Sequence, residues 1–415
     1  GLLGGLFLST AFIGFIFSIT MTTAAVTLFM LAAMPFIAAI AGYFLLGEIL
    51  RRSTLISMII AFLGSCKQDK KDTKIQKEIS VKTNIEKRWS LKKANEWGNN
   101  LPWLRGSNFN PSTSINQLEF WQEETFDPET IERELGWAQD IGLNTMRVYL
   151  HHVAWEVDKS GFKNRINTYL SIANKHNIST IFVFFDDCWN SKYLPGKQPD
   201  PKPGVHNSGW IQDPGDLLFT TDNLLPVLKD YITDILITFK NDKRIILWDL
   251  YNEPGNSGRQ NKSMPLLKNV FKWARSVNPD QPLTVGVWNV ELKELNKFQL
   301  ENSDIITYHN YNDEKDHEKA IDSLKMYDRP MVCTEYMARR NNSLFSNIMP
   351  LLKQNNIGAI NWGLVAGKSN TKYAWDEPIS DGSDPELWFH EILRKDGTPY
   401  KKEEVNLIKE LTKEQ

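Results

Sequence analysis

The chain has 415 residues, with 48 basic and 50 acidic side chains and a formal net charge of −2. That balance argues against a nucleic-acid partner, whose phosphates call for a basic excess. Three cysteines, none in a Cys-x-x-Cys pair, exclude a disulfide scaffold and argue against structural zinc.

The first 65 residues are chemically unlike the rest: their only charged side chains are Glu48, Arg51 and Arg52. Gly1–Ile19 and Ala24–Leu46 are each long enough to cross a hydrocarbon core of about 30 Å as helices. Arg51 and Arg52 place the following loop in the cytoplasm by the positive-inside tendency. Thr54–Ser65 is short for a span, but fits the apolar region of a secretory signal. Leu63-Gly64-Ser65-Cys66 then resembles a bacterial lipobox, implying lipidation at Cys66. The competing reading is a buried cysteine that ends a membrane helix. The head is also similar to part of the EamA family of drug/metabolite transporters, through Ala33-Met34-Pro35-Phe36-Ile37-Ala38-Ala39 and Gly42-Tyr43-Phe44-Leu45-Leu46-Gly47-Glu48. That resemblance covers about three helices of a ten-helix family, so a gene-boundary accident or an anchor is expected in place of a transporter. Everything after Cys66 is then expected outside the cytoplasm, in a bacterial periplasm or at the cell surface.

Residues 66–100 are lysine-rich with no sustained apolar period and read as a charged tether. From 101 to 415, strand-like runs alternate with amphipathic ones. The strands are expected at Trp103–Phe109, Thr145–Leu150, Thr180–Phe185, Ile245–Tyr251, Leu283–Val287, Ile305–His309, Met331–Glu335 and Ala359–Leu364. Helical periods fall between them, among others at Pro128–Ile141, Arg165–His176, Leu224–Lys240 and Met264–Ser276. Eight such units point to an α/β chain folded as a (β/α)₈ TIM barrel behind a short hydrophobic transmembrane segment. A doubly wound sheet is the alternative, but no Gly-rich turn follows the first strand.

A barrel places its chemistry at the C-terminal ends of its strands. Arg147 and Tyr149 end strand 2, and Asp186, Asp187 and Trp189 follow strand 3. Asn252 and Glu253 end strand 4, His309 and Tyr311 follow strand 6, Glu335 ends strand 7, and Trp362 lies on strand 8. Strands 4 and 7 face each other across an eight-stranded barrel, so Glu253 and Glu335 can point into one cleft. Two such carboxyls suit glycosidic-bond cleavage, in which one protonates the leaving oxygen and the other attacks or activates water. Trp189 and Trp362 offer flat apolar faces to a sugar ring, and Asp187 can accept hydrogen bonds from its hydroxyls. His151 and His152 are further candidates for the cleft wall, and Cys333 is expected inside the barrel.

From about Trp89 to Leu411 the chain resembles a clan A glycoside hydrolase, most similar to glycoside hydrolase family 5. The resemblance rests on Asn252-Glu253-Pro254, Glu335, Arg147, His309-x-Tyr311 and Trp362. It implies that Glu253 is the general acid/base, Glu335 the nucleophile and Asn252 a partner of the sugar 2-hydroxyl. It also implies that Arg147, His309, Tyr311 and Trp362 surround the substrate, and that the reaction retains anomeric configuration without a cofactor. The chain departs from the family after strand 3, where Asp186-Asp187-Cys188-Trp189-Asn190 stands in place of a common His-Asn pair. Glu253 is expected to have a raised pKa, from burial and from the negative Glu335. The expected function is a membrane-tethered retaining β-glycosidase acting on β-mannosides or β-glucosides. The alternatives are a non-catalytic carbohydrate-binding lipoprotein and, more weakly, a transporter fragment.

Overall fold

A computed structural model describes residues 88–413. The chain divides between Asn84 and Ile85, and only the second unit falls among these residues. Both apolar spans, the signal-like stretch, Cys66 and the EamA-like motifs lie outside them. Among the described residues, no helix is long and apolar enough to cross a membrane.

Eight strands build the unit: β1 (Arg105–Asn108), β2 (Thr145–Tyr149), β3 (Ser179–Asp186), β4 (Ile245–Asn252), β5 (Leu283–Thr284), β6 (Ile306–His309), β7 (Met331–Glu335) and β8 (Gly358–Trp362). All paired neighbours run parallel, in the order β5-β4-β3-β2-β1-β8-β7-β6. A parallel bridge between Val287 and Tyr308 joins the two outer strands, and His309 N donates to Val287 O at 2.9 Å. The eight-stranded cylinder expected from the alternating patterns is present.

β3 and β4 are buried almost throughout, which explains their near-continuous apolar character. Along β3, Phe182 and Phe184 pack with the surrounding helices, whereas Ile181 and Val183 belong to separate apolar clusters. One of these clusters, with Trp89, Leu104, Leu247, Val332 and Ile360, fills the barrel floor. The other, Tyr149, Val183, Cys188 and Trp210, lies toward the C-terminal ends of the strands and supports Trp362. Helix starts are set by capping aspartates. Asp127 accepts from Thr130 N ahead of a Pro-led helix, and Asp158 and Asp313 cap two others.

Two elements differ from the sequence reading. β5 is only Leu283–Thr284, because its continuation pairs with β6 by a single bridge. Within the stretch expected as tether, Leu91–Asn99 is a helix capped by Ser90 that buries Ala94. Trp89 is anchored beside it, its N–H donating to Asp304 Oδ1 at 2.7 Å. Nine residues with one buried alanine give too weak a period to be read against so many charges.

Candidate active site

β4 ends at Asn252, and Glu253 follows with φ of 44°, a left-handed conformation that turns the chain sharply into Pro254-Gly255. β7 ends on Glu335. One carboxylate oxygen of Glu253, one of Glu335 and a His309 ring nitrogen lie within 4.8 Å of one another. The two glutamates therefore meet over a single position.

Their surroundings differ. Glu335 Oε1 accepts from Arg147 Nη1 at 2.9 Å and Tyr149 OH at 3.0 Å, and Oε2 accepts from Tyr311 OH at 2.9 Å. Burial holds both phenols far above their ordinary pKa, so they remain donors. Glu253 Oε1 pairs with His309 Nδ1 at 2.7 Å, and Oε2 accepts from Cys188 Sγ at 3.2 Å and from Asn256 Nδ2. Burial pushes the Glu253 carboxyl up, but the hydrogen bond and charge of His309, with Cys188 and Asn256, outweigh it. The net pKa lies below the ordinary glutamate value. This reverses the expected direction, because the sequence showed the nearby Glu335 but not the imidazole at hydrogen-bond distance.

Arg147 is wholly buried and is not among the residues lining the cleft; it sits beside Glu335. Its guanidinium donates to Asp249 at 2.7 and 3.0 Å, to Asn252 Oδ1 at 2.7 Å, to Asn108 Oδ1 at 2.8 Å, and to Tyr149 and Glu335. It binds β1, β2, β4 and β7 together beneath the site. Asn252 lines the cleft while its amide also donates to Asp186 Oδ1 at 2.9 Å. Burial pushes the Asp186 carboxyl up to about 7.

Asp187 is also not among the residues lining the cleft. It is buried, accepting from Tyr251 OH at 2.7 Å, Gly255 N at 2.8 Å and Ser263 Oγ, with Arg259 at 3.3 Å. Its oxygens are occupied in fastening the turn that follows Glu253, and the cleft receives Cys188 instead. His151 and His152 also lie outside the cleft lining. His151 bridges Gln212 O and Val153 N, His152 is bound to Asp213, and burial pushes His151 down to about 4. Glu253–His309–Glu335 and His151–His152–Asp213 are the two groups, among the described residues, whose spacing would suit an ion. The hydrogen bonds above account for the spacing of each.

The cleft has a volume of about 910 Å³ and includes Trp189, His309, Tyr311 and Trp362 in its wall. Trp189, with φ of 69°, keeps 40% of its surface exposed, whereas Trp362 packs edge-on against Tyr149 and Trp210. One end is closed where the loop after β3 meets the loop after β8. Asn207 N donates to Ser369 O, Ile379 N to Gly204 O and Asn370 Nδ2 to Lys202 O, each at 3.0 Å. His206 Nδ1 meets Tyr373 O at 2.8 Å. Gly204 is required there: with φ of +72°, an added Cβ would lie 1.8 Å from Ile379 O. The other end, around Ser257, Asn289 and Val290, is open, with Val290 80% exposed.

Sequence reasoning missed Asp249, Asn256, Trp375 and His390 as parts of the site. Asp249 carried a signal: an acid inside an apolar buried strand needs a cation, and Arg147 is the matching basic residue in β2.

A family model described as cellulase (glycosyl hydrolase family 5) matches residues 119–368. The chain belongs to glycosyl hydrolase family 5. It is therefore a clan A glycoside hydrolase, an O-glycosyl hydrolase on a TIM barrel. Solved structures at low identity share the fold. GH5_18 from Streptomyces cattleya, in complex with Manβ1-4GlcNAc, is 10% identical with a TM-score of 0.53, covering 75% of this chain and 80% of that one. GH5_18 from Bifidobacterium longum, also in complex with Manβ1-4GlcNAc, is 12% identical with a TM-score of 0.52, covering 75% and 78%. The endo-1,4-β-D-mannanase of Thermotoga petrophila is 16% identical with a TM-score of 0.49, covering 75% and 99%. A search of the curated proteins found no match.

Proposed function

We propose that this family 5 hydrolase is a retaining β-glycosidase with Glu335 as nucleophile and Glu253 as acid/base. The observation that carries the reading is the approach of the two carboxylates to within 4.8 Å, close to the ~5–5.5 Å of retaining pairs and short of the ~6.5–9.5 Å of inverting ones. Glu335 attacks the anomeric carbon as the glycosidic C–O bond breaks, and Glu253 gives its proton to the departing oxygen. Arg147 and the two phenols hydrogen-bond Glu335 and hold it aimed until it is consumed in the ester. Glu253 Oε1 lies 2.7 Å from His309 Nδ1, and the first step requires the proton on Glu253. Its carboxylate, braced by Cys188 and Asn256, then takes a proton from water. That water attacks the same carbon and frees Glu335.

The leaving group departs on the Glu253 side, toward the open rim at Ser257 and Asn289. The sugar retained by the enzyme lies toward the closed end, against Trp189, His206, Trp375 and Trp362. A wall at that end favours exo-action or short β-linked oligosaccharides over a long polymer. β-Mannosides rank first, since two neighbours with this barrel hold Manβ1-4GlcNAc, and β-glucosides second. Turnover of an aryl β-glycoside panel tests the reading. Activity must appear and fall on the order of 10⁴-fold in Glu335→Gln. Sugar binding without turnover in the unaltered protein would favour the carbohydrate-binding alternative.

We further propose that either the apolar residues 1–65 or a lipidated Cys66, left as the new N-terminus once those residues are removed, anchors the protein in the membrane, with the charged tether expected over 66–100 leading to a hydrolase outside the cytoplasm. Labelled fatty acid should enter the protein and be lost in Cys66→Ser. Equal labelling of both would refute the lipid anchor.

A further inference from the structure

Cys188 occupies a place that the proposed mechanism uses only in passing. It follows β3 where the sequence departs from the family's usual His-Asn pair, and it is 9% exposed in the cleft wall. Its backbone N–H donates to Asp186 Oδ1 at 2.8 Å, fixing the turn that carries it. Its sulfur lies 3.2 Å from Glu253 Oε2 and 3.3 Å from the amide nitrogens of both Asn252 and Asn256. Two donors therefore approach the sulfur, and the direction left for its own hydrogen is the glutamate oxygen. Burial, with the carboxylates of Asp186, Glu253 and Glu335, pushes the thiol well above its ordinary pKa and keeps it an S–H donor.

We propose that Cys188 is a positioning residue for Glu253, whose thiol hydrogen bond sets the pH range over which that glutamate can act as acid. The inference rests on Glu253 being the acid/base.

The physical argument concerns donor strength. An S–H is a weak donor, weaker than the hydroxyl or imidazolium that could stand there. It favours the ionised carboxylate mildly, enough to orient it without discouraging its protonation for the first chemical step. The other titratable and charged groups facing this contact are Asp186 from β3, His309 and Tyr311 from β6, and Glu335 from β7. Arg147 and Tyr149 of β2 stand behind Glu335. His309 addresses the opposite oxygen, Oε1, so the thiol and Asn256 are the side-chain donors on Oε2. Removing the thiol should make Glu253 easier to protonate.

The test combines kinetics with a measurement that needs no turnover. The pH dependence of kcat/KM is followed on an aryl β-glycoside with a poor leaving group, which requires the acid. Cys188→Ala should move the alkaline limb upward by about half to one pH unit, the scale of a weak bond to a charged group. The acid limb, set by Glu335, should stay. Cys188→Ser, with a stronger donor, should return the alkaline limb to the wild-type position or below it. The S–H infrared band of Cys188, identified by its disappearance in Cys188→Ala, should shift in Glu253→Gln. An alkaline limb unmoved in both cysteine variants would overturn the proposal and leave only a packing role. An S–H band indifferent to Glu253→Gln would also overturn it. A shifted band in a Glu253→Gln enzyme that keeps full turnover would overturn the underlying acid/base reading instead.

Discussion

Replacing Arg147 by methionine removes the guanidinium beneath the site while keeping most of the side-chain volume. Asp249, fully buried in β4, loses its ion pair at 2.7 Å, and Glu335 loses one at 2.9 Å. Breaking a buried pair by deleting one partner costs about 3–5 kcal/mol, since the remaining charge is stranded. At roughly 1.5–2 °C per kcal/mol for a barrel of this size, the Tm at neutral pH should drop by about 5–10 °C. Calorimetry at neutral pH should show that deficit, and turnover should collapse with it. A deficit below about 1 kcal/mol would refute the ion-pair reasoning.

Glu253→Gln should lower kcat/KM for glycosides with poor leaving groups by about 10²–10⁴-fold, yet barely change kcat/KM for activated aryl glycosides, whose departure needs no proton, while their kcat falls because the second step loses its base. A uniform loss across leaving groups would contradict the acid role. Burial pushes Asp187 up to about 6, so its contribution to stability is fully present below pH ~4 and lost as pH rises to 6. Asp187→Asn should therefore lose less stability at pH 7 than at pH 4, by about 3 kcal/mol, in denaturant titrations at the two pH values. Gly204→Ala should force the β3 and β8 loops apart through its clash with Ile379 O. The cost of overpacking, about 1–3 kcal/mol, should appear as a tenfold or larger rise in KM for a disaccharide with little change in kcat.

The barrel was legible because its strands are apolar runs of the right length, and because polar residues recur at their C-terminal ends. Glu253 and Glu335 were legible for the same reason: position along a strand predicts which rim it reaches. What lies beyond a strand end was harder. After β3 the chain turns through Asp186-Asp187-Cys188, and no periodicity shows which side chain enters the cleft. Asp187 was the chemically attractive choice, and Cys188 is the one that faces Glu253. Arg147 was placed correctly along β2 but at the wrong depth, since a strand residue can point inward below the rim as readily as at it. The reversed pKa shift of Glu253 has a similar origin, because proximity of His309 is a matter of a few ångströms that register alone does not supply. The clasp between the β3 and β8 loops joins segments more than 160 residues apart, in part by backbone hydrogen bonds that carry no side-chain signature.

The most direct test of the account is the configuration of the sugar first released from an aryl β-glycoside, followed by proton NMR before mutarotation. Double displacement on Glu335 predicts the β-anomer as first product. Initial release of the α-anomer would show a single inversion and contradict the assignment of the two glutamates.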